Sequence, residues 1–212
     1  MFKIFLESLV DLIIPTSEAE KRLRNLTDDE LSETLPRLWP DKDVLSTFVY
    51  RKSLCSKLVW AIKFRRHKRF IKFAGRILAD SLLEEISERF CFARPKPIVI
   101  IPMPSSKTRR RERGFNQCEL LAKEIARHLP VKIETEFLFK KDETKHQSRL
   151  PNRAARLRNL QNSFWVEAKK YSAEAFYVLL DDVMTTGATL AEAESTLKKA
   201  GVKEVLKLTL AH

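Results

Sequence analysis

The residues best suited to chemistry lie in one run, 177–189, where an apolar stretch leads into two carboxylates and then a turn of small hydroxyl residues. At a helix N-terminus, the backbone N–H groups of such a turn favour a phosphate, and Gly187 allows close approach of the ligand. Asp181 and Asp182 could accept hydrogen bonds from neighbouring sugar hydroxyls. The run predicts a site for a ribose 5-phosphate, with binding residues Asp181, Asp182, Thr185, Thr186, Gly187, Ala188 and Thr189.

Strands and helices alternate in the second half of the chain, which is typical of a largely parallel sheet. The apolar patterns predict strands at 97–101, 131–139, 176–180 and 202–210, and helices at 116–129 and 188–200. Ligands of such sheets bind at the carboxyl ends of the strands. The acid pair and the turn after it are expected at that edge.

The first half reads as helical. Residues 2–14 have one apolar face, typical of a docking helix, and Thr27 and Glu30 form a capping box for a short helix. The pattern over 48–90 predicts a helical layer before the sheet. We expect an N-terminal helical extension over 1–43 and the main domain over 44–212.

Composition narrows the class of protein. In 212 residues, 44% are hydrophobic, which excludes a disordered chain. The net charge of +12 favours polyanions such as nucleic acid or small phosphorylated ligands as partners, and a generally basic surface is the open alternative. The three cysteines lack CxxC spacing, so they predict neither a zinc site nor a disulfide framework. No apolar run is long enough to span a membrane, and we expect a cytoplasmic protein.

Other phosphate-binding motifs are missing from the sequence. It contains neither GxxxxGK[ST] nor GxGxxG, so nucleotide hydrolysis on a P-loop and dinucleotide binding lack their required glycines.

The run 177–189 resembles the phosphoribosyl pyrophosphate (PRPP) motif of the type I phosphoribosyltransferases. Residues 100–117, including Ile101-Pro102-Met103-Pro104, and residues 146–164 are similar to the ComF family of competence-associated proteins. The resemblance covers about 44–212. It implies an α/β, type I phosphoribosyltransferase-like fold. Members commonly carry a zinc ribbon after a leading proline, but the segment after Pro15 has no cysteine before Cys55.

The resemblance also implies the remaining parts of a PRPP site. The pyrophosphate loop would comprise Pro102, Met103, Pro104, Ser105, Arg111 and Arg113. A mobile hood would contain His146, Gln147, Arg153 and Arg156. Mg²⁺ would arrive with PRPP, held indirectly by the acid pair and without a dedicated protein ligand. Thr185 stands where purine-specific relatives often have Asp, so the acceptor stays open and no catalytic residue is assigned.

A second basic region precedes the sheet and contains the nucleic-acid candidates Lys63, Arg65, Arg66, Lys68 and Arg69. Phe64, Phe70 and Phe73 lie among them, available either for stacking on single-stranded DNA or for the core. Two functions follow. One is a PRPP-binding phosphoribosyltransferase-domain protein of DNA uptake or nucleotide metabolism, with other competence or DNA-processing proteins as partners. The alternative is a catalytically silent PRPP sensor that binds single-stranded nucleic acid.

Overall fold

The structure, a computed structural model, describes residues 18–38, 44–50, 53–92, 94–141, 163–167 and 172–212. Its centre is a parallel sheet of five strands in the order β1-β7-β6-β2-β3. The strands of this sheet are β1 (Val44–Phe48), β2 (Ile98–Pro102), β3 (Lys132–Ile133), β6 (Phe176–Val183) and β7 (Val205–Ala211). A separate antiparallel pair consists of β4 (Leu138–Lys140) and β5 (Phe164–Val166).

Seven helices are described around these strands. They are α1 (Glu18–Asn25), α2 (Asp28–Thr34), α3 (Ser53–Arg65), α4 (Lys68–Arg89), α5 (Lys107–Arg113), α6 (Gln117–Ile125) and α7 (Ala188–Lys199). The predicted fold class, an α/β fold with a mainly parallel sheet flanked by helices, is confirmed. Among the described residues, no helix is both long and apolar enough to cross a membrane.

The two faces of the sheet build two hydrophobic layers. Val178 and Leu180 of β6 pack on the side of α3 and α4, whereas Tyr177 and Leu179 lie with residues of α7 and the β4–β5 pair. This follows from the alternation of side chains along a strand. The small helices α1 and α2 contribute Leu23 and Leu31 to the first layer, and Leu35, the C-cap of α2, joins them there, so both helices share the main core. The predicted capping box of α2 is confirmed.

Two parts of the predicted secondary structure are wrong. Residues 131–139 form no single strand, because the chain turns between β3 and β4, where the Glu134 carboxylate accepts the amide of Glu136. The other error is β1, whose Phe48 opens the predicted helical layer. Strand β1 has weak alternation and is completed by a contact distant in sequence, the 2.6 Å hydrogen bond between Ser46 and Thr209.

Helices α4 and α6 cross at Gly75, where their backbones come close. A Cβ atom at this position would lie 2.4 Å from Glu124 Cβ, which belongs to the rigid base of that side chain. Gly75→Ala is therefore expected to destabilise the fold by about 1–3 kcal/mol through overpacking, although Ala is the better helix former. Urea unfolding measures this loss. Ser87→Ala, on the exposed side of the same helix, is the control, and equal stability of the two variants would contradict the close crossing.

Candidate functional site

The two loops predicted to bind the ligand leave the same edge of the sheet. Strands β2 and β6 are direct neighbours, with Pro102 paired to Leu180. Beyond this pair, the Met103 amide donates to the Leu180 carbonyl at 2.8 Å, and the Met184 amide donates to the Ala211 carbonyl at 2.9 Å. Because neighbouring strands lie about 4.8 Å apart, the loop after β2 and the turn after β6 begin side by side.

The turn after β6 presents an uncapped helix start. Gly187 is the N-cap of α7, has φ +71°, and provides no side-chain cap. Thr185 and Thr186 before it are exposed, and Ala188 and Thr189 after it are partly exposed. The first amides of a helix have no acceptor within the helix and carry the positive end of its dipole. The turn therefore has the geometry of an anion site, and glycine at its positive φ avoids the strain that a side chain would cause there.

The two acids lie at the carboxyl end of β6 and have different surroundings. Asp182 is 4% exposed, and the ammonium of Lys63 donates to its Oδ1 at 3.2 Å and lies 2.9 Å from its Oδ2. Oδ2 is buried and accepts no aligned hydrogen bond from the described residues. This oxygen keeps a lone pair for a ligand hydroxyl or a metal-bound water.

Asp181 lies against the start of α6. Its Oδ1 accepts the backbone amide of Asp182 at 2.8 Å and the thiol of Cys118 at 3.5 Å. Burial, reinforced by the neighbouring Asp182 carboxylate, raises the pKa of Asp181 to about 7. Burial and the two acids also raise the pKa of the Cys118 thiol well above its ordinary value. The thiol therefore stays protonated and serves as a hydrogen-bond donor.

The loop after β2 is fixed at its start by Asn116, the N-cap of α6. The Asn116 amide group donates to the Met103 carbonyl at 3.0 Å and its Oδ1 accepts the Cys118 amide at 3.0 Å. The Ser105 hydroxyl oxygen is buried and has no hydrogen-bond partner among the described residues. Ser106 caps α5 by accepting the Arg109 amide. The loop thus offers one unsatisfied polar atom at this edge of the sheet.

Helix α5 carries the arginines predicted to meet a pyrophosphate. Arg111 is exposed, whereas Arg113 is partly buried, with its guanidinium 4.7 Å from the centre of the Phe64 ring and 3.3 Å from the Gln117 side-chain oxygen. Asp182 interacts electrostatically with Arg113 and opposes the lowering of its pKa by burial. The structure thus associates Arg113 with the acid pair.

The nucleic-acid candidates separate into two groups. Arg65 lies 3.4 Å from the Glu20 carboxylate and over the Trp60 ring, and Arg69 binds Asp28 and backbone carbonyls near the end of α1. These two arginines hold α1 and α2 against the core. Arg66 and Lys68 are exposed, whereas Lys63 lies at the acid pair.

The phenylalanines of the same region divide in a similar way. Phe70 and Phe73 are core residues, as the structural alternative predicts, and Phe64 is 47% exposed.

Sequence comparison establishes relatives of known name. The chain is 33% identical to DNA utilization protein YhgH of Escherichia coli (strain CFT073) over 150 residues, which is 71% of this chain and 63% of that protein. It is 36% identical to Competence protein F of Haemophilus influenzae over 110 residues, or 51% of this chain and 48% of the relative. For Competence protein ComFC of Bacillus subtilis, the identity is 33% over 146 residues, covering 66% and 55%.

The chain is a homologue of these DNA utilization and competence proteins. It spans less than two thirds of the length of these relatives. No family model matches it. Among solved structures, it is similar to a Staphylococcus aureus hypoxanthine phosphoribosyltransferase, with 12% identity, 66% of this chain and 61% of that chain covered, and a TM-score of 0.40. It is also similar to a Giardia lamblia APRTase, with 16% identity, 87% of this chain and 84% of that chain covered, and a TM-score of 0.39.

The remaining predictions for this ComF-like chain fall outside the described residues. They concern the hood residues His146, Gln147, Arg153 and Arg156, and the docking helix at 2–14.

Sequence reasoning missed three residues of the site. It did not connect Lys63 with Asp182, 119 positions away, or Cys118 with Asp181. The capping role of Asn116 could have been found, since Asn directly before an apolar helical pattern is a typical N-cap. The pairs Lys63–Asp182 and Cys118–Asp181 have no local sequence signal, because each is made by packing between elements.

Proposed function

We propose that this ComF-like protein binds PRPP as its magnesium complex, in a cytoplasmic role in DNA uptake or nucleotide metabolism. The observation that supports this most is the juxtaposition at one sheet edge of an uncapped helix start, a pair of acids and a loop with an unsatisfied hydroxyl. A phosphate, a sugar diol and a pyrophosphate need these three chemistries in that proximity.

Each part of PRPP has a matching group in the chain. The 5-phosphate would bind the amides and hydroxyls of 185–189, as anions do at helix starts. The ribose hydroxyls would donate to Asp181 and Asp182. The Oδ2 atom of Asp182 lacks an aligned donor among the described residues. The pyrophosphate would meet the 102–105 loop, with Ser105 donating a hydrogen bond. Arg111 and Arg113 would balance its charge, because guanidinium groups suit phosphate oxygens.

The residues present fit Mg²⁺ only as part of this complex. Among the described residues, no group of three or more His, Cys, Asp or Glu side chains could hold a metal. Mg²⁺ commonly binds one or two carboxylates together with substrate phosphates and waters. Asp181 and Asp182 would contact the ion indirectly, through its bound waters, and the ion would supply charge neutralisation for the pyrophosphate.

With PRPP bound, the pocket suits transfer of the phosphoribosyl group. An acceptor nucleophile would form a bond to C1 of the ribose while the bond from C1 to the pyrophosphate oxygen breaks, and pyrophosphate would leave with the electron pair. Thr185 in place of an acid leaves the acceptor class open. A protein that binds PRPP without this step would act as a sensor.

Calorimetry with PRPP tests the proposal. We expect saturable binding at a single site with Mg²⁺ present, and much weaker binding with Mg²⁺ removed by chelation. Ribose 5-phosphate and pyrophosphate, titrated separately, should compete with PRPP. Absence of heat and of competition at millimolar PRPP would contradict the proposal. Pyrophosphate release across a panel of nucleobases and amines then separates enzyme from sensor.

Single-stranded DNA is the second candidate ligand. All residues of α5 lie outside the core, five of its seven residues are basic, and Arg66 and Lys68 are exposed as well. The relatives' names, DNA utilization protein and competence protein, favour the same ligand. Lys and Arg side chains that bind the phosphates of a nucleic-acid strand release its condensed counterions, so such binding weakens as the salt concentration rises.

A salt titration tests this candidate. If six phosphates are engaged, log affinity should fall with log salt at a slope of about −4. Arg110→Gln with Arg111→Gln on α5 should reduce the slope by about 1–2, whereas Lys203→Gln, exposed and beyond α7, should leave it unchanged. Absence of binding at low salt would exclude DNA as a ligand.

A further inference from the structure

The ion pair between Lys63 and Asp182 joins α3 to the end of β6. The ammonium faces both carboxylate oxygens, at 3.2 Å and 2.9 Å, and the two side chains are only 26% and 5% exposed. One cation facing both oxygens of a buried carboxylate occupies the position that a divalent ion bound to that carboxylate would need. The lysine and a metal therefore compete for Asp182.

The position of Lys63 is fixed by its neighbours on α3. The next residue, Phe64, lies against the Trp60 ring, with centroids 5.5 Å apart, and beneath the Arg113 guanidinium at 4.7 Å. Through Phe64, the last turn of α3 thus packs on the preceding turn of the same helix and on α5. The ammonium is thus held at the acid pair by the packing of the turn that carries it.

The protein without ligand has a reason to keep a cation here. A buried carboxylate without a counter-charge is costly, and a second acid directly beside it adds repulsion. Lys63 supplies that counter-charge from within the chain. A free metal ion must displace it, whereas a metal bound to PRPP brings phosphate oxygens that can receive the displaced ammonium.

We infer that Lys63 is the resident counter-ion of the acid pair, which excludes free divalent cations and makes metal binding depend on PRPP. The second half of this inference rests on the proposed function. The first half concerns the chain and a metal alone.

Free Mn²⁺, counted by electron paramagnetic resonance without PRPP, tests the first half. Lys63→Met keeps the length of the side chain and removes its charge, so it should bind Mn²⁺ at least about tenfold more tightly than the unchanged protein. Asp182→Asn added to Lys63→Met should remove the gain. Lys63→Arg, which keeps the charge, and Lys57→Met, six positions earlier on α3, should retain the original weak binding.

Folding of each variant is checked by circular dichroism. The inference is overturned if folded Lys63→Met binds Mn²⁺ no more tightly than the unchanged protein, or if Lys57→Met gains equally.

Should Lys63→Met not fold, the nuclear magnetic resonance signal of the Lys63 ammonium in the unchanged protein decides the question. The signal is assigned by its loss in Lys63→Arg. The signal should shift at saturating Mg·PRPP and not with the same Mg²⁺ alone. A shift with Mg²⁺ alone, or none when calorimetry shows PRPP bound, overturns the inference. Absence of PRPP binding in calorimetry would instead contradict the proposed function and, with it, the second half of the inference. The first half would still hold if Mg²⁺ alone leaves the Lys63 signal unshifted, and a shift would overturn it.

Discussion

Replacing Asp181 and Asp182 together by Asn is expected to weaken Mg·PRPP binding at least about a hundredfold. Hydrogen bonds to a charged group are worth about 1.5–3 kcal/mol each, and tenfold in affinity corresponds to about 1.4 kcal/mol. The ribose hydroxyls and the metal both lose their anionic partners in this variant. Calorimetry under the conditions used for the unchanged protein gives the ratio.

The control for this experiment is Asp80→Asn, which changes an exposed acid on α4 away from the sheet edge. It should bind as the unchanged protein does. Equal affinity of the double variant and the control would remove the acid pair from the site, since both variants lose carboxylate charge but only one loses it at the pocket.

The second prediction concerns stability against pH. Because the pKa of Asp181 is raised from 3.8 to about 7, the folded protein binds a proton there that the unfolded chain releases. The stabilisation from this proton is complete below pH about 4 and is lost as the pH rises to about 7. Asp181→Asn keeps the oxygen that accepts from Asp182 and Cys118 and carries no charge.

The variant should therefore gain stability over the unchanged protein as the pH rises through this window. The difference in the free energy of unfolding grows by at most about 1.4 kcal/mol per pH unit. Urea unfolding at pH 4, 5, 6, 7 and 8 measures it, and Asp80→Asn again serves as the control. A constant difference between the variant and the unchanged protein over this range would show that Asp181 titrates at its ordinary pKa.

The local patterns carry the fold class and the site motif. The buried run 176–180, the acids after it and the small-residue turn predict a strand, an edge position and a helix start, and the structure has β6 and α7 there. Each of these features depends on neighbours within a few residues: a continuous apolar run, a glycine suited to the positive φ found at Gly187, and an apolar helical period. Such signals are readable from the sequence because the chain itself brings the groups together.

Contacts between elements had no such signal. Lys63 belonged to a run of basic residues that favoured nucleic acid, and only the packing of α3 against the sheet places it at Asp182. Likewise, strand β1 was missed because its partner, β7, lies at the other end of the chain.

The sequence by itself determined an α/β protein similar to the ComF proteins, with an acid pair followed by a phosphate-type turn. Only the tertiary structure decided the surroundings of those acids, with Asp182 paired to a lysine and Asp181 beside a thiol. The physical reason is that residue type fixes which charges and donors are available. Their burial and their partners depend on which distant elements pack together, and these set their pKa values and the hydrogen-bonding positions left for a ligand.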